Sequence, residues 1–374
     1  MRRCVPLVLI LMVVLAACAP TYKKLPLLDD VPELKALSER GESRRIRVWR
    51  FPVGEIDGAP YSIVAEETGV ERTDVLVVPI HGLVSDRTTW QFVSGHLGET
   101  HRLWIPDQLG CGESDRPSPV EIGEAAYSPS ASARQLLEAL RQRNEEAGWP
   151  RRIFFVGHSL GGAVALRILG STELRVAYPR IFERVDSAML IAPLEFAVHR
   201  SDKTLAEMGR MGTFRLGLGR ATGLFKEEVA KWLLGSAENP DWVLRVDVDR
   251  LLSAFDGKQA RLSTQAIIRQ AVPFDRSNGR PDWEAIEPLV DDYANVKIPV
   301  LVLWGRRDET LPLSMGYKLL AELPDARLRI VEGGKHSLQA DRPELVADWI
   351  RRFLADSGAG WAAVETIGST RKPK

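Results

Sequence analysis

Residues 153–170 read Ile-Phe-Phe-Val-Gly-His-Ser-Leu-Gly-Gly-Ala-Val-Ala-Leu-Arg-Ile-Leu-Gly. The apolar run at 153–156 suits a parallel strand buried on both faces, and residues 163–169 have good helix propensity. Ser159 stands at the junction. A turn this tight forces the serine into a strained backbone conformation, so Gly157 and Gly161 flank it with no Cβ to clash. Its hydroxyl is pushed clear of the sheet. Ser159 and Leu160 open the helix, whose first N–H groups lack intrahelical partners and can stabilise a developing negative charge.

Three further stretches share the pattern of a strand ending in a polar loop. Residues 74–80 end at His81-Gly82. Residues 299–304 end at Gly305-Arg306-Arg307-Asp308, and residues 326–331 at Glu332-Gly333-Gly334-Lys335-His336-Ser337. Serine, then aspartate, then histidine, each after a strand, is the order in which one class of strand-turn-helix enzymes carries its triad.

On these motifs the chain resembles the α/β-hydrolase family over about residues 44–355. The resemblance implies a mostly parallel eight-stranded sheet flanked by helices, with a helical cap inserted after the sixth strand. It also implies that Ser159 is the nucleophile, His336 the base and Asp308 the acid, on a Trp-Gly-x-x-Asp pattern. The backbone N–H groups of Leu83 and Leu160 would form the oxyanion hole. Glu195, just after the strand at 187–194, is the alternative acid, a position some members of the family use. His81 is read as shaping its loop and not as a base. In the loop at 106–114, Asp107 and Ser114 are expected to hydrogen-bond the backbone. Cys111 has no basic neighbour to activate it and is read as an inert thiol.

The expected domain plan is a signal peptide at 1–17, a tether at 18–43, the core at 44–194 and 293–356, a cap at 195–292 and a disordered tail at 357–374. Met1-Arg2-Arg3 and the apolar residues 5–16 form a leader too short to span a bilayer as a mature helix. It ends in Leu15-Ala16-Ala17-Cys18, which resembles the lipobox of bacterial lipoproteins. That resemblance implies acyl chains, palmitate among them, on Cys18 and a membrane anchor, with Ala19 leaning toward the outer membrane. Residues 19–43 hold three prolines and no sustained period. They read as a standoff tether with one short helix at 32–40. The cap stretch carries aromatics and methionines in helix-like segments, more suited to its own core than to substrate contact.

Of 374 residues, 45% are hydrophobic, and 50 basic residues balance 50 acidic ones. Such a chain can bury a large core and gives no reason to expect nucleic acid. Three cysteines, two of them in the leader, make neither a disulfide framework nor a zinc site. Asp247 and Asp249 lack partners at metal-ligand spacing. No metal or organic cofactor is expected.

The chemistry that follows is hydrolysis of a carboxylic or lipid ester through an acyl-enzyme. An acyltransferase or a hydrolase of carbon–carbon bonds flanked by carbonyls would use the same triad, and a non-catalytic surface binding protein is a third class. A serine at the turn argues against dehalogenase and epoxide hydrolase chemistry, which needs a carboxylate there.

Overall fold

The computed structural model describes residues 21–71, 73–194, 224–271, 275, 282, 284 and 292–368. Its sheet has nine strands: β1 (Arg45–Ile56), β2 (Ala59–Gly69), β3 (Val75–Ile80), β4 (Arg102–Pro106), β5 (Arg152–His158), β6 (Val185–Ile191), β7 (Val300–Gly305), β8 (Ala326–Val331) and β9 (Val364–Ile367). They lie in the order β1-β2-β4-β3-β5-β6-β7-β8-β9. β1–β2 and β2–β4 pair antiparallel, and every other neighbouring pair is parallel. The strand stretch at 153–156 divides between two cores. Ile153 and Phe155 face one, Phe154 and Val156 the other, as the two-residue strand period requires.

β1 and β2 form a hairpin with a two-residue turn. β1 continues to Ile56, which pairs with Ala59, and only Asp57 and Gly58 turn the chain. Both have positive φ, 49° and 80°, the pair of left-handed residues that a two-residue hairpin needs.

The expected eight strands become nine because part of the tail is ordered. β9 pairs parallel with β8, Leu328 opposite Val364. Trp361 leads into it, with its ring 5.3 Å from that of Trp349 and 5.7 Å from that of Phe353. The Arg329 guanidinium lies over the same indole at 5.0 Å. A four-residue strand behind a Gly/Ala-rich approach leaves little periodicity to read.

The tether expectation also needs correction from residue 21 onward. Helices α1 (Thr21–Lys24) and α2 (Pro32–Glu42) are docked on the body. Leu34 and Leu37 of α2 bury against Phe92 of α3 (Gln91–Leu97) and Leu244. Gly95 lets the helices touch, since a Cβ there would lie 2.4 Å from the Leu37 carbonyl oxygen. The three prolines suggested an extended leash, but the apolar residues between them found partners far along the chain.

Core helices cover both faces of the sheet. α4 (Pro129–Ala147) and α5 (Leu160–Gly170) pack on one face. Between β6 and β7 the described residues 224–271 are helical: α6 (Leu224–Ser236), α7 (Arg245–Ser253) and α8 (Gly257–Ala271). This is where the cap was expected. α9 (Ser314–Glu322) joins the first face, and α10 (Pro343–Asp356) packs with α3 on the other. Cys18 and the rest of the leader, Glu195 and the first part of the cap stretch lie outside the described residues. No described helix is long and apolar enough to cross a membrane.

Candidate active site

Ser159 lies between β5 and α5 with φ 51° and ψ −118°. The turn is closed by contacts only glycine allows. A Cβ on Gly157 would lie 2.4 Å from the Gly161 carbonyl oxygen, and one on Gly161 2.2 Å from that of Ile80. Val84 (φ 51°) and Ala192 (φ 39°), just beyond β3 and β6, are also left-handed. Each such residue costs roughly 1–3 kcal/mol, and here they cluster at the carboxyl ends of neighbouring strands. Crevices at such ends are where open parallel sheets bind ligands.

Asp308 follows β7. Its Oδ1 accepts from the N–H groups of Thr310 (2.9 Å) and Leu311 (2.8 Å), which fix the carboxylate, while Oδ2 accepts from His336 Nδ1 at 2.8 Å. With Nδ1 donating, the neutral imidazole presents Nε2 as a base. Both side chains are largely buried, and Ser159 is 9% exposed.

The loop after β3 lies against the serine. A Cβ on Gly82 would come within 3.2 Å of the Ser159 Cβ. His81 holds this loop as a strut: Nδ1 donates to the Gly82 carbonyl oxygen (2.9 Å) and Nε2 accepts from the Gln108 N–H (3.0 Å). Gln108 Nε2 donates in turn to the His81 carbonyl oxygen (2.8 Å). Burial pushes the His81 pKa down, so the ring stays neutral and both bonds hold. Leu83 follows Gly82, and Leu160 opens α5. Among the described residues, neither backbone N–H has a hydrogen-bond acceptor.

The loop after β4 behaves as read from its sequence. Asp107 accepts from the N–H groups of Arg87 (2.7 Å) and Glu113 (2.9 Å), and Ser114 Oγ donates to the Asp107 carbonyl oxygen at 2.8 Å. Arg87 reaches across to pair with both Asp107 and Glu113. Cys111 is buried, and burial pushes its thiol up to about 12, so it carries no thiolate at neutral pH. Among the described residues no group of three or more His, Cys, Asp or Glu side chains is placed to hold a metal ion.

Sequence reasoning missed His158 and Gln339. His158, between Gly157 and the serine, is buried, and burial holds its pKa well below the usual value. A neutral ring must then accept at Nδ1 from Gln339 Nε2 (3.1 Å) and donate from Nε2 to the His336 carbonyl oxygen (3.2 Å). It thereby ties the Ser159 turn to the His336 loop. Only the position beside the serine could have drawn attention to it, because its partners lie about 180 residues away.

Helices α6 and α7 are fastened to the loops around this site. Arg250 of α7 donates to Thr88 Oγ1 (2.8 Å). At the end of α6, Lys335 binds the Gly235 carbonyl oxygen, Arg342 Nε donates to Glu238 (2.9 Å), and Asp341 accepts from the Glu238 N–H (3.2 Å).

The sequence profile of the alpha/beta hydrolase family matches residues 75–349. A 2-hydroxy-6-oxononadienedioate/2-hydroxy-6-oxononatrienedioate hydrolase of Pseudomonas sp is 24% identical over 86% of this chain and 100% of its own. An esterase of Escherichia coli (strain K12) is 23% identical over 79% of this chain and 99% of its own. Among solved structures, the bromoperoxidase from Bacillus anthracis superposes with a TM-score of 0.62 at 20% identity. It covers 83% of this chain and 100% of that one. At that identity the likeness speaks to fold alone.

Proposed function

Because the chain belongs to the alpha/beta hydrolase family, we propose that it is a serine hydrolase of carboxylic or lipid esters, anchored to a bacterial membrane through Cys18. The observation that carries the catalytic reading is the 2.8 Å bond from His336 Nδ1 to an Asp308 carboxylate held by two backbone N–H groups, tied through His158 to the turn of a strained Ser159. His336 Nε2 takes the hydroxyl proton as Ser159 Oγ attacks the acyl carbonyl, and the oxygen becomes an oxyanion held by the Leu83 and Leu160 N–H groups. Collapse expels the alcohol, which receives the proton from His336. Water, deprotonated by the same ring, then cleaves the acyl-enzyme and restores Ser159. Asp308 keeps the imidazole in the tautomer that both steps need. The E. coli esterase relative supports the ester reading.

The name of the Pseudomonas relative favours a second reading, hydrolysis of a carbon–carbon bond flanked by carbonyls with the same residues. The test is fluorophosphonate labelling of the purified protein, followed by a panel of esters and of 2-hydroxy-6-oxo dienoates. Labelling should vanish in Ser159→Ala, and kcat should fall by on the order of 10⁴–10⁶, because triad members act as a unit. Wild-type turnover by that variant would remove the serine from the reaction.

A further inference from the structure

We propose that cap helices α6 and α7, with the amino-terminal segment docked on them, form the face that lies against the membrane, and that the substrate is an acyl ester resident in that bilayer. This rests on the reading of Cys18 as the lipid anchor.

The chain is clamped to the cap as soon as it is described. The N–H groups of Thr21 and Tyr22 both donate to the Glu227 carboxylate near the start of α6, each at 3.2 Å. Tyr22 Oη donates to Asp249 of α7 (2.7 Å), and Arg245 donates from its backbone to the Pro26 carbonyl oxygen (2.9 Å) and from its guanidinium to that of Lys23 (2.8 Å). Leu25 is buried among Ala230, Val248 and Leu252. Cys18 is three residues before Thr21, and three residues reach at most about 11 Å even when fully extended. An acyl group on Cys18 therefore leaves no room for a standoff. The bilayer surface has to lie beside α6 and α7.

That surface is dressed for an interface. Leu27, Trp232 and Val246 are 48%, 50% and 50% exposed, and all three belong to the docked segment or to these two helices. Indole and aliphatic side chains in this setting lodge at the boundary between headgroups and acyl chains. Lys23, Lys24 and Lys231 are exposed; Lys231 pairs with Glu228, Lys35 with Asp29, and Asp30 is exposed in the same segment as Lys23 and Lys24. The contact is thus apolar and does not depend on anionic lipid. The same helices border the cleft on two sides, α7 through Arg250 and Thr88, α6 through Gly235 and Glu238 against the His336 loop. An ester partitioned into the bilayer meets the cleft without crossing bulk water.

The test places an environment-sensitive NBD fluorophore on single cysteines in the full-length, membrane-extracted protein reconstituted into palmitoyl-oleoyl phosphatidylcholine vesicles. The sites are Trp232→Cys, Val246→Cys and, as control, Val176→Cys, which is 81% exposed in the helix Thr172–Ala177, whose Leu174 packs into the sheet core and not into the cluster of α6 and α7. Cys111 stays unlabelled because it is buried. Labels at 232 and 246 should brighten several-fold and shift to the blue, unchanged by salt, while the label at 176 stays as in water. If all three behave alike in protein that carries radiolabelled palmitate, the docking face is wrong and the anchor stands. If Cys18→Ser incorporates palmitate as the wild type does, the anchor reading fails and takes the docking face with it.

Discussion

The imidazole of His158 lies 4.9 Å from that of His336, ring centre to ring centre, and donates to the backbone carbonyl of the same residue at 3.2 Å. The residue before Ser159 thus ties the serine turn to His336, the proposed base. His336 is held by Asp308 at its side chain and by His158 at its backbone, so its loop cannot shift from the serine turn without breaking a buried hydrogen bond. Loss of this strut should act on kcat far more than on KM, because it touches alignment and not binding. His158→Ala is expected to lower kcat by about 10²-fold, the usual cost of displacing a reacting group by an ångström. Gln339→Ala, which removes only the donor to Nδ1, should do less. Steady-state kinetics on folded variants decide the matter, and a wild-type kcat in His158→Ala would remove the role.

Asp308 and Glu195 can be ranked by isosteric amides. The Asp308 carboxylate already accepts from His336 Nδ1, so Asp308→Asn would offer an N–H where an acceptor is required and favour the wrong tautomer. In serine proteases that change costs ~10⁴ in kcat. Glu195→Gln should remain near wild type. The reverse ranking, measured as kcat for both variants, would transfer the acid to Glu195 while leaving Ser159 and His336 in place.

Asp341 makes the cap junction sensitive to pH. Burial raises its carboxyl from the usual 3.8 to about 6, with the nearby Glu238 adding to the rise and the Glu238 and Asn239 N–H groups opposing it. Because the folded value is raised, folding favours the protonated form. That contribution is complete below about pH 4 and is lost as pH climbs through about 6, by about 3 kcal/mol at most. Asp341→Asn cannot titrate, so its urea midpoint should vary less between pH 4 and 7 than that of the wild type. Parallel pH curves for the two proteins would show that the carboxyl is not perturbed.

The ordered tail should be measurable in stability. Trp361 packs edge-on against Trp349 and at a tilt against Phe353, beneath Arg329, and it seats β9 on the sheet edge. Trp361→Ala is expected to cost about 2 kcal/mol, below the range for fully buried aromatics because the indole keeps some exposure. Chemical denaturation checks it, and an unchanged midpoint would mean that the tail adds nothing to the fold.

Much of the fold was legible. The apolar runs of β3, β5, β6 and β7 stand out because strands buried on both faces need no alternation, and each ends where a glycine or polar residue stops the run. The elbow was legible because close packing of β5 on α5 permits only glycine at 157 and 161. Asp308 and His336 could be placed because each lies in a glycine-bearing polar loop that follows a strand. β9 and α1 were not legible: each is four residues long, and both are stabilised by partners contributed from elsewhere in the chain.

Sequence by itself determined the class of fold, the strand-turn-helix setting of Ser159 and the order of the polar loops, because those rest on contacts between near neighbours and on backbone conformations that few residues tolerate. Only the tertiary structure decided that residues 21–42 dock on α3, α6 and α7, that His158 and Gln339 brace the His336 loop, and that Asp341 is buried where the end of α6 meets the core. Each of these depends on residues about 100 to 200 positions apart, such as Thr21 with Glu227 and His158 with Gln339, brought together by packing that leaves no period or spacing along the chain.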